Sequence, residues 1–231
     1  MSSDGVSADD HSARASILAP VGVVGAGAMG SGIAQVAALA GHRVLLVDTS
    51  DGAAASAVER IGVRLDRLAA QGRLEPEQAD AARELLSALD TVDDLPDCGL
   101  VIEAAPEDLD LKQRLFADLS ERQPSTTVLA TNTSSIDIDA IARDVTDPER
   151  VLGLHFFNPP PVMRLVEVVH GSVTSPAYVE HAMALMGAWG KTPVRCASTP
   201  GFIVNRVARP FYGEAQRLVE AGVADAATVD W

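Results

Sequence analysis

His155 and Glu167 stand twelve residues apart, each inside an apolar run of strand length, Val151–His155 and Arg164–Val169. Asn158-Pro159-Pro160-Pro161 between them cannot continue a strand and has to turn. If the two runs return on each other as a hairpin, the imidazole and the carboxylate meet across it. A carboxylate there fixes the tautomer of the ring and stabilises the imidazolium formed when the ring takes a proton. That is the equipment of a general base acting on a hydroxyl during an oxidation. Such pairs are more often ordinary structural hydrogen bonds, so spacing alone leaves both readings open.

A second signal lies near the other end of the chain. Val21–Val24 is a short apolar strand that runs into Gly25-Ala26-Gly27-Ala28-Met29-Gly30, and Ile33–Ala40 reads as a small-residue helix ending at Gly41. This is G-x-G-x-x-G in its strand–turn–helix setting. The first glycine permits the turn, the second lets a pyrophosphate approach, the third lets helix and strand pack, and the helix N-terminus faces the phosphates. Val44–Val47 reads as a second buried strand, closed by Asp48. An acid at that place accepts from both ribose hydroxyls and repels a 2′-phosphate, and no arginine follows it in Thr49-Ser50-Asp51. The pattern points to NAD rather than NADP.

The elements needed to position these groups alternate along the chain, which predicts a doubly wound α/β sheet with helices on both faces. Two helices, about 52–70 and about 75–89, are expected to form an antiparallel pair standing off the sheet. Further strands are predicted at Leu100–Ala104, Thr127–Ala130 and Pro193–Cys196, with a helix over Glu107–Leu119. The polar loop Thr131–Ser135 follows a strand's C-terminal end, where ligands of open sheets sit. There Asn132 or Ser134 would face a ligand, with Ser135 capping the segment from Ile136. A long helix is expected over Phe202–Gly222, and another from Ala224 to Trp231. Residues 1–18, small, polar and acidic, read as a disordered tail. Residues 19–198 read as one domain and 199–231 as the start of another, with the boundary near Thr199.

Composition narrows the partners. The chain has 231 residues and a net charge of −14, so nucleic acid is an unfavourable partner. Lysine occurs only at 112 and 191. Cys98 and Cys196 are single and distant, which suits a reducing, cytoplasmic setting and neither a disulfide framework nor a metal site. No apolar run reaches membrane-spanning length, and the start lacks the form of a signal peptide.

These motifs together resemble the 3-hydroxyacyl-CoA dehydrogenases. The resemblance spans Val21 to Asp230. Besides the glycine loop it rests on Val101-Ile-Glu-Ala104, Asn132-Thr-Ser-Ser135, His155-Phe-Phe-Asn-Pro159 and Thr199-Pro-Gly-Phe-Ile-Val-Asn-Arg206. It implies a Rossmann-type doubly wound sheet followed by a helical C-terminal domain. It implies His155 as the acid/base with Glu167 as its partner, and Ser134 and Asn205 on the substrate oxygens. It implies NAD contacts from Gly25, Gly27, Ala28, Met29, Gly30, Asp48, Glu107, Lys112 and Asn132. His42, His170 and His181 match no such role and read as turn or surface residues; His11 lies in the tail. The segment from Trp189 through Tyr212 looks most like the bacterial branch that oxidises 3-hydroxyadipyl-CoA in phenylacetate breakdown.

The resemblance also implies an acyl-CoA substrate and a homodimer. By it the chain stops inside the helical domain, leaving the lid and the dimer surface incomplete. Relatives often carry a lysine on the helix after Asp48, where this chain has Arg60, Arg64 and Arg67. Two alternatives stay open: a dehydrogenase of a free hydroxy acid or sugar acid, and a non-catalytic NAD-binding protein or fragment.

Overall fold

The computed structural model describes residues 19–230. The expected tail at 1–18 and Trp231 lie outside the described residues. Eight strands form one sheet: β1 Val21–Val24, β2 Val44–Val47, β3 Leu86–Leu89, β4 Leu100–Glu103, β5 Val128–Thr131, β6 Val151–Phe156, β7 Leu165–His170 and β8 Thr192–Ala197. Their order is β3-β2-β1-β4-β5-β6-β7-β8. All neighbours are parallel except β6 and β7, which pair antiparallel. β1, β2, β4, β5 and β6 are buried along their whole length, as the apolar runs of a sheet covered on both faces require.

The helices are α1 Ala28–Leu39, α2 Ala53–Ala70, α3 Pro76–Glu84, α4 Leu109–Arg122, α5 Ile138–Ile141, α6 Pro176–Ala188, α7 Val204–Glu220 and α8 Ala226–Val229. One face of the sheet packs Val23, Leu46, Ile102 and Leu154 against Ile33, Ile61, Leu65, Val179 and Met186. The other packs Val101, Leu129 and Val169 against Phe116, Leu119 and Ile141. The core is therefore doubly covered, and the sheet is Rossmann-like.

Several expectations change. The helix predicted to reach residue 89 stops at Glu84, and Leu86–Leu89 becomes the edge strand β3, in register with β2 from Val44↔Leu86 to Val47↔Leu89. The open edge of β2 outweighs the helical pattern of the segment. α2 does not stand off the sheet: Ala54, Ala57, Ile61 and Leu65 are buried in the core, together with Ala79 and Ala82 of α3. Phe202 is not helical. Its backbone is left-handed (φ 47°), its ring enters the second core cluster, and α7 begins two residues later. The last helix is the short α8, ending at Val229. His42 is buried, with Nδ1 against the Ala19 carbonyl at 3.2 Å and its ring edge-on to Trp189. Among the described residues no helix is long and apolar enough to cross a membrane, and no group of His, Cys, Asp and Glu could hold a metal ion.

Candidate active site

The glycine loop joins β1 to α1. Gly25 has φ +107°, and a Cβ there would lie 2.6 Å from the Ala104 carbonyl oxygen, so the position requires glycine. A Cβ at Gly30 would overlap the Gly25 carbonyl, whereas one at Gly27 meets nothing within 4 Å. Gly27 is also the N-cap of α1, with no side chain closing the helix end. Open space before uncapped N–H groups fits a bound pyrophosphate. Asp48, at the end of β2, accepts from Ala26 N at 2.7 Å and Ser50 N at 2.9 Å. Partial burial works to raise the Asp48 carboxyl, but these N–H groups and the Ser50 hydroxyl hold it below its ordinary value. The residues present therefore fit a dinucleotide.

β6 and β7 bring His155 and Glu167 together as directly paired residues. His155 Nδ1 lies 2.6 Å from Glu167 Oε2, and both side chains are buried. An ionised carboxylate only accepts, so Nδ1 carries the proton and Nε2 is left free. Phe157 and Phe202 flank the ring at 4.5 and 5.7 Å between centroids. The other oxygen of Glu167 accepts from the backbone N–H of Ile203 and of Val204, each at 2.9 Å. One buried carboxylate thus ties the histidine to the first turn of α7.

A cavity of about 450 Å³ opens over His155. Met29, Ala104, Ala105, Glu107, Asn132 and Ser134 line one part, and His155, Phe156, Phe157, Asn158 and Asn205 the rest. Asn132 reaches across β5 and β6 to accept from Phe156 N at 2.9 Å. Asn205 Nδ2 donates to the Ser134 carbonyl at 3.3 Å. Glu107 gathers the polar loop: its Oε1 accepts from the Thr133 hydroxyl at 2.6 Å, Ser134 N at 3.0 Å and the Ser135 hydroxyl at 3.2 Å. Burial would raise the Glu107 carboxyl; these donors and the Lys112 ammonium outweigh it and lower it. Ser135 is not the cap of the following segment. The helix begins at Ile138 with Asp137 as its N-cap, and Thr133 closes the turn before it, accepting from Ser135 N and Ile136 N.

Lys112 is not on the cavity wall. It is 1% exposed, paired with buried Glu103 at 2.6 Å and 3.5 Å from Glu107. Asp48 lines a separate small cavity at the ends of β2 and β3, so the residues assigned to the cofactor spread along the C-terminal edge of the sheet. A third cavity, of about 420 Å³, is lined by Arg64, Arg67 and Arg73 together with Ala28, Gly32 and the loop Asn158–Val162. It meets the first at Asn158. Sequence reasoning missed three participants. Asn158 lines both cavities. Arg73 joins Arg64 and Arg67. Lys191 donates to the Pro160 and Met163 carbonyls and so fastens the proline loop. Only the HFFNP stretch itself pointed toward Asn158. Neither cysteine offers a thiolate, since burial pushes both thiols up to about 11, helped at Cys196 by the charge of Glu167.

Comparison with known proteins agrees with this geometry. Residues 20–199 match the family model described as 3-hydroxyacyl-CoA dehydrogenase, NAD binding domain, and residues 201–231 match the C-terminal domain of the same family. The chain is 51% identical to the 3-hydroxyadipyl-CoA dehydrogenase of Escherichia coli over 91% of its own length and 44% of that relative. It is 41% identical to the human mitochondrial hydroxyacyl-coenzyme A dehydrogenase, over 95% of this chain and 72% of that one. Among solved structures, the 3-hydroxybutyryl-CoA dehydrogenase of E. coli superposes with a TM-score of 0.88 at 52% identity, covering 90% of this chain and 44% of that chain. The (S)-3-hydroxybutyryl-CoA dehydrogenase of Ralstonia eutropha superposes at 0.85 and 38% identity, covering 89% and 72%. The chain thus spans less than half of the first relative and nearly three quarters of others. Its cofactor is NAD. By glycine loop, sheet and family match alike, this chain belongs to the 3-hydroxyacyl-CoA dehydrogenase family.

Proposed function

We propose that the chain carries the site of an NAD-dependent dehydrogenase that oxidises a (3S)-3-hydroxyacyl-CoA to the 3-oxoacyl-CoA. One observation carries this reading: a buried imidazole, oriented by a buried carboxylate, shares a single cavity with Asn132, Ser134, Asn205 and Met29 of the glycine loop. His155 Nδ1 is committed to Glu167, so Nε2 takes the hydroxyl proton. Glu167 offsets the charge of the resulting imidazolium. Ser134 and Asn205 hold the oxygen on the reacting carbon and the thioester carbonyl, which fixes that carbon in place. Gly25, Gly27, Ala28, Met29, Gly30 and Asp48 hold the cofactor, with Glu107 and Asn132 at its reacting end, and Lys112 acts through Glu107. NAD, when bound, supplies the hydride acceptor. Residues 19–198 serve as the cofactor-binding unit in this reading, and 199–231 begin the helical one.

The arginine cavity favours a coenzyme A thioester over a free hydroxy acid. Three arginines are among its lining residues in a chain of net charge −14, and the cavity adjoins the reacting one. Arginine suits phosphate by its planar fork of donors. Similarity to the E. coli 3-hydroxyadipyl-CoA dehydrogenase supports a six-carbon dicarboxylic acyl group. The test is NADH formation from 3-hydroxyadipyl-CoA, 3-hydroxybutyryl-CoA and free 3-hydroxybutyrate. Turnover is expected with thioesters. Equal turnover of the free acid, or none with any thioester, would sink the reading.

A further inference from the structure

We infer that Arg209 reads the far end of the acyl group and selects chains that finish in a carboxylate. This rests on the dehydrogenase reading above and names what that site recognises beyond the reacting carbon.

The reacting cavity has no arginine or lysine on its wall; its ionisable lining groups are Glu107 and His155. A terminal carboxylate entering it meets a like charge and no cation. The coenzyme A end has its own exit, past Asn158 toward Arg64, Arg67 and Arg73. The acyl end is left with the rest of the cavity wall, which includes Asn205.

Asn205 belongs to the first turn of α7, and Glu167 accepts from the N–H groups of Ile203 and Val204 at that helix start. The register of α7 over the cavity is therefore fixed by the catalytic carboxylate itself. Val204, Asn205 and Ala208 are half-buried while Arg206 and Val207 are exposed, so the helix turns the first three toward the sheet domain. Arg209 follows Asn205 by four residues, on the same flank and about 6 Å further along the axis. Side chains of a helix lean toward its N-terminus, so Arg209 leans back over the turn that carries Asn205. Arg206, one residue after Asn205, is turned about 100° from it round the helix, against about 40° for Arg209. Arg209 is exposed and, among the described residues, makes no ion pair, unlike Arg195 and Arg217.

The lengths agree. In a six-carbon diacid the free carboxylate lies three C–C bonds beyond the hydroxyl carbon, on the order of 4 Å at about 1.5 Å per bond. That is about 2 Å short of the axial offset between Asn205 and Arg209, and the backward lean of the Arg209 side chain closes the difference. A guanidinium there would meet the carboxylate with two parallel hydrogen bonds. A four-carbon acyl group ends too early to reach it.

The experiment compares kcat/KM for 3-hydroxyadipyl-CoA and 3-hydroxyhexanoyl-CoA, which share chain length and differ in the terminal carboxylate. The wild-type chain should prefer the adipyl substrate. Arg209→Met should lower the ratio of the two values about tenfold or more, the range of a hydrogen bond to a charged group, and Arg209→Lys should keep part of it. A variant that merely folds poorly lowers both values and leaves the ratio intact, and that result counts against the assignment. Calorimetric titration of the NADH-bound protein with the same two thioesters reads the ratio as Kd without turnover. Absence of turnover with both substrates would overturn the dehydrogenase reading, while the Kd ratio would still decide Arg209. A wild-type chain without preference, or an Arg209→Met variant that retains it, overturns the assignment.

Discussion

His155 has one ring nitrogen committed to Glu167 and one free. His155→Gln should leave NADH binding nearly unchanged and lower turnover by about two to four orders of magnitude, the usual worth of a general base. Single-turnover kinetics with fluorescence titration of NADH separates the two effects; near wild-type turnover would defeat the mechanism. At the cofactor end, Asp48→Ala should narrow the gap between NADH and NADPH affinity, read by the same titration. Asp48 also couples the glycine loop to pH. Its carboxyl sits below its ordinary value in the folded chain, so the folded state binds fewer protons there than the unfolded one. Its contribution to stability is present above the ordinary carboxylate pKa and is lost as pH falls through the lowered value. Thermal melts from neutral pH down to about pH 3 should show a shallower acid loss for Asp48→Asn. The His155–Glu167 pairing was legible in sequence because a hairpin of two apolar strands permits few registers. Lys112 was not legible as a buried residue. Its position depends on Glu103, nine residues earlier at the end of β4, which no local pattern connects to it.

The elements were legible where hydrophobic period and punctuation agreed, as in β1, α1, β2 and the β6–β7 pair. They failed at Leu86-Ser-Ala-Leu89, which has no β-branched residue and continues a helical pattern. That segment is a strand because β2 offers an unpaired edge, a fact of tertiary structure. Phe202 was read as helical for a similar reason: its burial under the sheet, not its propensity, decides its backbone. The joint between β7 and α7 carries the prediction at this scale. Glu167→Gln replaces one acceptor oxygen by a donor, so Oε1 and Oε2 can no longer serve both Nδ1 of His155 and the N–H groups of Ile203 and Val204. Turnover should fall with an altered pH profile, and amide exchange at 203–206 should quicken. Slower turnover with unchanged exchange would mean that the carboxylate serves the histidine alone.

Across the molecule, charge is segregated. A chain of net charge −14 gathers Arg64, Arg67 and Arg73 around one cavity beside the reacting one. Arg67→Glu with Arg73→Glu should raise KM for acetoacetyl-CoA at least tenfold and leave that for acetoacetyl-pantetheine within about twofold, since only the former carries the nucleotide phosphates. Raising ionic strength from about 0.01 to 0.15 M, which shortens the screening length from about 30 to 8 Å, should weaken the coenzyme A substrate in the same selective way. Equal effects on both thioesters would remove the cavity from substrate binding. The shared carboxylate of Glu167 also bears on how such chains can be recombined. The two family matches meet between residues 199 and 201, and a chimera would naturally be spliced there. The chemistry does not divide at that seam. Glu167 is 1% exposed and two of its three partners lie beyond it, at Ile203 and Val204. A graft crossing over at residue 200 would ask a foreign helix to complete the histidine's counter-ion, whereas one made after Asn205 would inherit His155, Glu167 and all the groups that hold that carboxylate from a single parent.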